Sequence, residues 1–463
     1  MIINWKPNKD INKALYIQIV EYFEKMISTG YFVCGEKLPS QRKLAEILNV
    51  NRSTIIIAMD ELKSKGFIKT NGKGGTVVSS NNWLNLNKNN ILKNLLSSGL
   101  LKRKNKIYES IEKYKTLIKV DFGKGELDQS LYPDIKMQDK MLEAIKEIGY
   151  LPYGNNNGDE KLIKKIENKM ISMGIDMDDN EILIVSGATQ GLFITVLGML
   201  SNQNIIKTNI PCYIKSLEIF KSAGLNIQDI NRENKGLYNV FYMIPTFHNP
   251  TGSVMNSYDR EKFMNFYGKN NPIIEDDVFR ELWYDFEPPK PLKAYSYGQN
   301  VIYINSFSKI LAPGLRIGWI CASKEIIGKL REIKYQMDSG TSIINQKIVL
   351  KWLNTIDYDK NLLSIRKSLK NRRGLIEKIL NDEFKNLFLW NKPNGGYYYW
   401  LKSTKKIKAL KVFEKALEKG LVIHPGDLYG EIDSTNIRIS FAGSNKSQIK
   451  LGFKILKEVM LEL

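Results

Sequence analysis

Several short stretches place reactive side chains where apolar runs end. Ser306-Phe307-Ser308-Lys309 closes a run that ends at Ile304, and Arg316 follows seven positions after Lys309. A lysine at a buried strand end can lose its proton and attack an aldehyde, and hydroxyls with a guanidinium beside it suit a phosphate. Ser186-Gly187-Ala188-Thr189-Gln190 joins a strand pattern to a helical one, so backbone N–H groups there face an anion. Glu275-Asp276-Asp277 ends another apolar run, and a carboxylate so placed can pair with a protonated pyridine nitrogen. His248-Asn249-Pro250-Thr251-Gly252 follows a further run and offers an amide to a phenolate oxygen. Arg438, in Asn436-Ile437-Arg438-Ile439-Ser440-Phe441, offers a guanidinium to a carboxylate. Taken singly, each has an ordinary reading as a surface residue or a structural ion pair. Together they offer partners for an aldehyde, a phosphate, a pyridine nitrogen and a carboxylate.

Such a site needs elements that bring distant stretches to one edge. Apolar runs at 182–185, 204–206, 240–244, 272–274 and 301–304 alternate with helical patterns. That alternation predicts an α/β fold with a mostly parallel sheet over residues 120–463, in which ligands collect at the carboxyl ends of strands. The chain ahead of it reads differently. Leu15, Ile19, Tyr22, Phe23, Met26 and Ile27 recur at helical spacing and predict a helix over 12–29. Ser40 caps a second, short helix that buries Leu44, Ile47 and Leu48. After the turn Asn49-Val50-Asn51, Asn51 caps a third helix with Ile55, Met59 and Leu62 inward. Short strands at 67–70 and 76–78 flank the glycine-rich tip Asn71-Gly72-Lys73-Gly74-Gly75.

Two short helices about a tight turn, followed by a basic hairpin, predict a winged helix-turn-helix over residues 10–80. Arg52, Ser53 and Thr54 at the start of the third helix are the candidates for base edges and phosphates, Arg42 for the backbone, and Lys73 for the wing tip. Residues 81–119 read as a basic linker containing Lys102-Arg103-Lys104-Asn105-Lys106, a solvated tether rather than a domain.

Composition agrees. A chain of 463 residues is too long for one core, and 43% hydrophobic with 25% charged residues excludes wholesale disorder. The formal net charge of +20 favours anionic partners, nucleic acid first. Three widely spaced cysteines, Cys34, Cys212 and Cys321, fit neither a disulfide framework nor a zinc motif, and no metal site is expected. No signal peptide or membrane span is legible, so a cytoplasmic protein is expected.

The N-terminal stretch resembles the GntR family of bacterial regulators in Leu15-Tyr16-Ile17-Gln18-Ile19, in Leu38-Pro39-Ser40-Gln41-Arg42-Lys43-Leu44-Ala45, in Asn51-Arg52-Ser53-Thr54, and in Leu62…Gly66-Phe67 before the wing. The resemblance implies DNA contacts by Arg42, Arg52, Ser53, Thr54 and wing residues including Gly72. Ile56 departs from members that place a base-reading arginine there. The remainder resembles fold-type I aminotransferases, with further landmarks in Leu151-Pro152-Tyr153-Gly154, Pro211-Cys212-Tyr213, Gly395-Gly396-Tyr397 and His424-Pro425-Gly426. That resemblance implies a covalent link between Lys309 and pyridoxal phosphate, Asp276 on the pyridine nitrogen, Asn249 on the ring oxygen and Tyr213 on the ring face. It implies Ala188, Thr189, Ser306, Ser308 and Arg316 on the phosphate, Tyr153 reaching a partner subunit's phosphate, and Arg438 on a ligand carboxylate. The tyrosine such enzymes carry two or three residues after the aspartate is replaced by Val278 and Phe279, neither of which can donate a hydrogen bond.

Both halves in this order match the MocR/GabR type of regulator. Such a protein is expected to be a homodimer that binds a double-stranded operator and senses an amino acid, an amine or a vitamin B6 vitamer. The alternative is a working aminotransferase with an accessory DNA-binding domain.

Overall fold

The computed structural model describes residues 5–8, 13–28, 32, 35–70, 75–79, 105–132, 135–148, 153–199, 205–217, 226–232 and 239–463. It divides into two compact units, residues 1–105 and 106–463.

In the smaller unit, α1 (Leu15–Ser28) turns Ile19, Phe23 and Ile27 inward. The next helix, α2 (Gln41–Leu48), starts at Ser40, whose hydroxyl accepts the Lys43 amide at 3.3 Å. That bond satisfies one of the N–H groups a helix start leaves without a partner. Asn49 adopts a left-handed conformation, φ 53°, and its amide closes α2. The chain then enters α3 (Arg52–Ser64), which buries Ile55, Ala58, Met59 and Leu62. Asn51 stands at the cap position in extended backbone, but its side chain makes no capping bond. Gly66, φ 76°, leads into β1 (Ile68–Thr70), one residue later than the sequence predicts. It pairs antiparallel with β2 (Thr76–Val78), Ile68 opposite Val78, both buried. The wing tip with Gly72 and Lys73, and most of the linker, lie outside the described residues.

The larger unit opens with α4 (Lys106–Lys113) and β3 (Val120–Asp121). Its main sheet comprises β4 (Asn180–Val185), β5 (Ile205–Thr208), β6 (Asn226–Asp229), β7 (Asn239–Met243), β8 (Ile273–Asp276), β9 (Val301–Ser306) and β10 (Gly318–Ser323). Among the described residues the order is β4-β10-β9-β8-β7-β5-β6. Only β10 runs antiparallel to its neighbours. It follows β9 after a short connection, which suits an antiparallel return, whereas a parallel neighbour needs a long crossover. The central strands are buried along nearly their whole length, because helices cover both faces. This explains why they appear in sequence as unbroken apolar runs.

A second sheet was not legible beforehand. It contains β11 (Phe388–Trp390), β12 (Tyr398–Ser403), β14 (His424–Pro425) and β15 (Asn436–Ser440), all antiparallel, in the order β11-β12-β15-β14. Between them, β13 (Leu421–Val422) pairs in parallel with β3 and ties the start of the unit to its C-terminal part.

Candidate functional site

A cavity of about 330 Å³ opens at the carboxyl ends of β4, β7, β8 and β9, and the second sheet supplies its far wall. Lys309 lies in the single helical turn after β9, where Tyr397 donates to its carbonyl at 2.6 Å. Its ammonium donates to the Gly125 carbonyl at 2.6 Å. Burial pushes its pKa down to about 8; Arg438 and Arg316 add to the fall, while Glu126 and Asp276 oppose it. About a tenth of the amine is therefore uncharged at pH 7, and more as the pH rises toward 8.

Asp276 ends β8, and burial is the main force raising its pKa to about 6. The Tyr242 hydroxyl, from β7, donates to Asp276 Oδ2 at 2.7 Å. The other oxygen, Oδ1, is buried without a partner among the described residues. Asn249 follows β7 and precedes a cis proline. Its Oδ1 accepts from Arg438 Nη1 at 3.0 Å, which leaves the amide N–H groups for another partner.

Arg438, on β15, is 4% exposed. It also donates to the Gly123 carbonyl at 2.5 Å and to His424 Nδ1 at 3.0 Å, and it stacks on Tyr398 at 4.3 Å. Burial first and then Arg438 hold His424 well below the usual histidine pKa. A neutral ring that accepts at Nδ1 carries its proton on Nε2. The partners of Arg438 are thus uncharged, and its guanidinium has no carboxylate neighbour among the described residues.

An anion cradle lies at the opposite end. Ala188 begins the helix Ala188–Met199, so its N–H and that of Thr189 are free of helix acceptors. Ser306 Oγ donates to the Ile317 carbonyl at 2.9 Å and accepts the Ser308 amide at 3.1 Å. Arg316 is held in a left-handed backbone conformation, φ 50°, and donates to Ser308 Oγ at 3.3 Å and to the Ser186 carbonyl at 3.0 Å. Gly187, φ 87°, leaves the space this guanidinium occupies: a Cβ there would sit 2.4 Å from Arg316 Nη2.

The structure therefore brings Ala188, Thr189, Tyr213, Asn249, Asp276, Ser306, Ser308, Lys309, Arg316 and Arg438 around one cavity. Burial, with Asp276 nearby, raises the Tyr213 hydroxyl to about 12. Tyr153 does not join them; it is 89% exposed and lines no part of the cavity. Val278 and Phe279 do line it, so the positions two and three residues after Asp276 present no hydroxyl. Sequence reasoning missed Tyr242, Tyr398, Glu126, Gly123 and Tyr108, and gave His424 no role. A tyrosine inside an apolar strand, as Tyr242 is, was the one available signal, since a buried phenol needs a hydrogen-bond partner.

In the smaller unit, Arg52 and Ser53 are exposed and Thr54 half-exposed at the start of α3. The Arg42 guanidinium is exposed, 3.7 Å from Glu46, an ion pair too solvated to hold it firmly. No helix among the described residues is long and apolar enough to cross a membrane.

Residues 118–455 match the family described as aminotransferase class I and II, and residues 15–78 match the bacterial regulatory proteins of the gntR family. The chain is 34% identical, over 97% of its length and 96% of the relative's, to an uncharacterized HTH-type transcriptional regulator, YdfD, of Bacillus subtilis. It is 35% identical, over 89% of its length and 97% of the relative's, to the HTH-type transcriptional regulator NorG of Staphylococcus aureus. Among solved structures it resembles a kynurenine aminotransferase of Pyrococcus horikoshii, with TM-score 0.71 and 26% identity over 78% of this chain and 95% of that one. A multiple-substrate aminotransferase of Thermococcus profundus gives TM-score 0.71 and 25% identity over 78% and 96%.

Proposed function

The chain belongs to the class I and II aminotransferases and, through its N-terminal module, to the HTH-type transcriptional regulators of the gntR type, and on that premise we propose that its larger unit holds pyridoxal phosphate and senses a small ligand that governs DNA binding by the smaller one. One observation carries the cofactor reading. Asp276 Oδ1 is buried and unpartnered in a cavity that also holds Lys309, and a protonated ring nitrogen is what would satisfy it.

The other residues fit the same group. Lys309 would hold the aldehyde carbon, the Asn249 amide the ring oxygen, and Tyr213 the ring face. Ala188, Thr189, Ser306, Ser308 and Arg316 would take the phosphate. Bound there, pyridoxal phosphate supplies an electrophilic carbon for an amine and an electron-withdrawing ring. Arg438 would receive a ligand carboxylate, and neutral His424 steadies it without cancelling its charge. An amino acid suits this arrangement better than a plain amine or a vitamin B6 vitamer alone. A ligand that engages Lys309 and Arg438 differently in two arrangements of a homodimer shifts their populations and so the operator affinity. Tyr153, exposed in one protomer, would then reach the partner's phosphate site. The protein would act in the cytoplasm on a double-stranded operator.

The test uses the full chain. Incubated with pyridoxal phosphate and desalted, it should retain near-visible absorption, and Lys309→Ala should not. In a DNA-shift assay across common amino acids, at least one should change the affinity, and Arg438→Ala should abolish that response while keeping the cofactor. Retained absorption in Lys309→Ala would overturn the site assignment.

The second reading, a working aminotransferase, is favoured by the partly deprotonated Lys309 and the available Arg438. The missing hydroxyl at Val278 and Phe279 weighs against it. Steady-state transamination separates the two: several turnovers per second with a natural amino donor and keto acid would favour the enzyme.

A further inference from the structure

The outer face of α3 carries an anomaly. At 3.6 residues per turn, Ile55, Ala58, Met59 and Leu62 share the buried side, so Ser53, Ile57 and Asp60 face away from it and Arg52 and Ile56 lie on its flank, all five exposed. Ile56 is 38% and Ile57 51% exposed, and among the described residues of the smaller unit they are the large apolar side chains left exposed. A surface isoleucine is commonplace. Two side by side on the second helix of a helix-turn-helix are not, because that surface enters the major groove.

Everything around them suits a nucleic acid. Arg52 and Ser53 precede them, and Arg42 and Lys43 stand exposed on α2. Asp60, one turn further along the same face, would be repelled by phosphate, so the approach ends within two turns of the helix start. Isoleucine has no hydrogen-bonding group with which to read a base. In the major groove the apolar group on a base edge is the thymine 5-methyl.

Resting on the DNA-binding role of this module, we infer that Ile56 and Ile57 read thymine methyl groups in the operator half-site. Specificity at those positions is apolar. Arg52 and Ser53 act on the neighbouring step.

The experiment takes the duplex that the full-length protein enriches from a random pool and rebuilds it with deoxyuridine in place of thymine, one position at a time. Deoxyuridine pairs identically and lacks only the methyl. At one or two positions per half-site, affinity should fall about fourfold, the equivalent of one buried methyl group. In Ile56→Ala or Ile57→Ala the thymine–deoxyuridine difference at one such position should vanish, while Arg52→Ala should retain it. Thermal unfolding of the isoleucine variants should match the parent, because both side chains are exposed. Equal binding of every deoxyuridine duplex overturns the inference and leaves DNA binding intact. A changed oligomeric state in the isoleucine variants, with thymine preference unaltered, overturns it in favour of a protein contact. Failure to enrich any duplex overturns the DNA-binding role itself and the inference with it.

Discussion

Asp276 is a carboxylate almost wholly buried, 5% exposed. The folded chain keeps its proton to about pH 6, whereas the unfolded chain releases it near 3.8. Between those values the native state binds more protons, so stability falls as pH rises, and the loss is complete above about 6. Asp276→Asn removes the charge and keeps an acceptor for Tyr242. Without cofactor, this variant should be more stable than the parent at pH 8, by at most about 3 kcal/mol, and equal to it below pH 4. Denaturant unfolding at the two pH values measures the gap. Equal stability at pH 8 would mean that Asp276 carries no burial cost. With cofactor the order should reverse, because a neutral amide cannot balance a protonated ring nitrogen.

At the scale of elements, the turn from β4 into the helix Ala188–Met199 would decide whether the proposed site can grip a phosphate. Gly187 supplies a positive φ that an L side chain adopts at a cost of about 1–2 kcal/mol. It also supplies the space beside Arg316. Gly187→Ala should fold, displace the guanidinium, and weaken pyridoxal phosphate binding by about tenfold or more, read by equilibrium dialysis. Unchanged affinity would remove Arg316 from the phosphate site. The second sheet plays the complementary part. By pairing β15 with β12 and β14 it sets Arg438 against Tyr398 and His424.

For the whole molecule, a net charge of +20 on a chain with a gntR-type module sets how DNA binding responds to salt. Each phosphate neutralised by a lysine or arginine releases counterions, so the logarithm of affinity should fall linearly with the logarithm of salt concentration. Arg52→Ala should weaken operator binding by roughly 1–3 kcal/mol if it reads a base edge. If it contacts phosphate alone, the salt slope should instead drop by about one across all sequences. Gel-shift titrations of both proteins at several salt concentrations decide this, and identical titrations would displace Arg52 from the interface.

The sequence alone determined the order of the two units, the parallel strands and most of the residues around the cavity. Apolar runs mark buried strands, and polar residues that follow such runs must lie at strand ends, so Lys309, Asp276 and Asn249 were legible from local pattern. Tertiary structure alone decided which groups answer them. Tyr242 meets Asp276 across neighbouring strands, and Gly125 meets Lys309 across 184 residues of chain. The second sheet was hidden because two of its strands span only two or three residues and the other two mix polar with apolar residues, and such patterns do not stand out from loops. The same holds for the charges. The lowered pKa of Lys309 and the raised pKa of Asp276 arise from desolvation, and desolvation depends on what the folded chain packs around a group rather than on its neighbours in sequence.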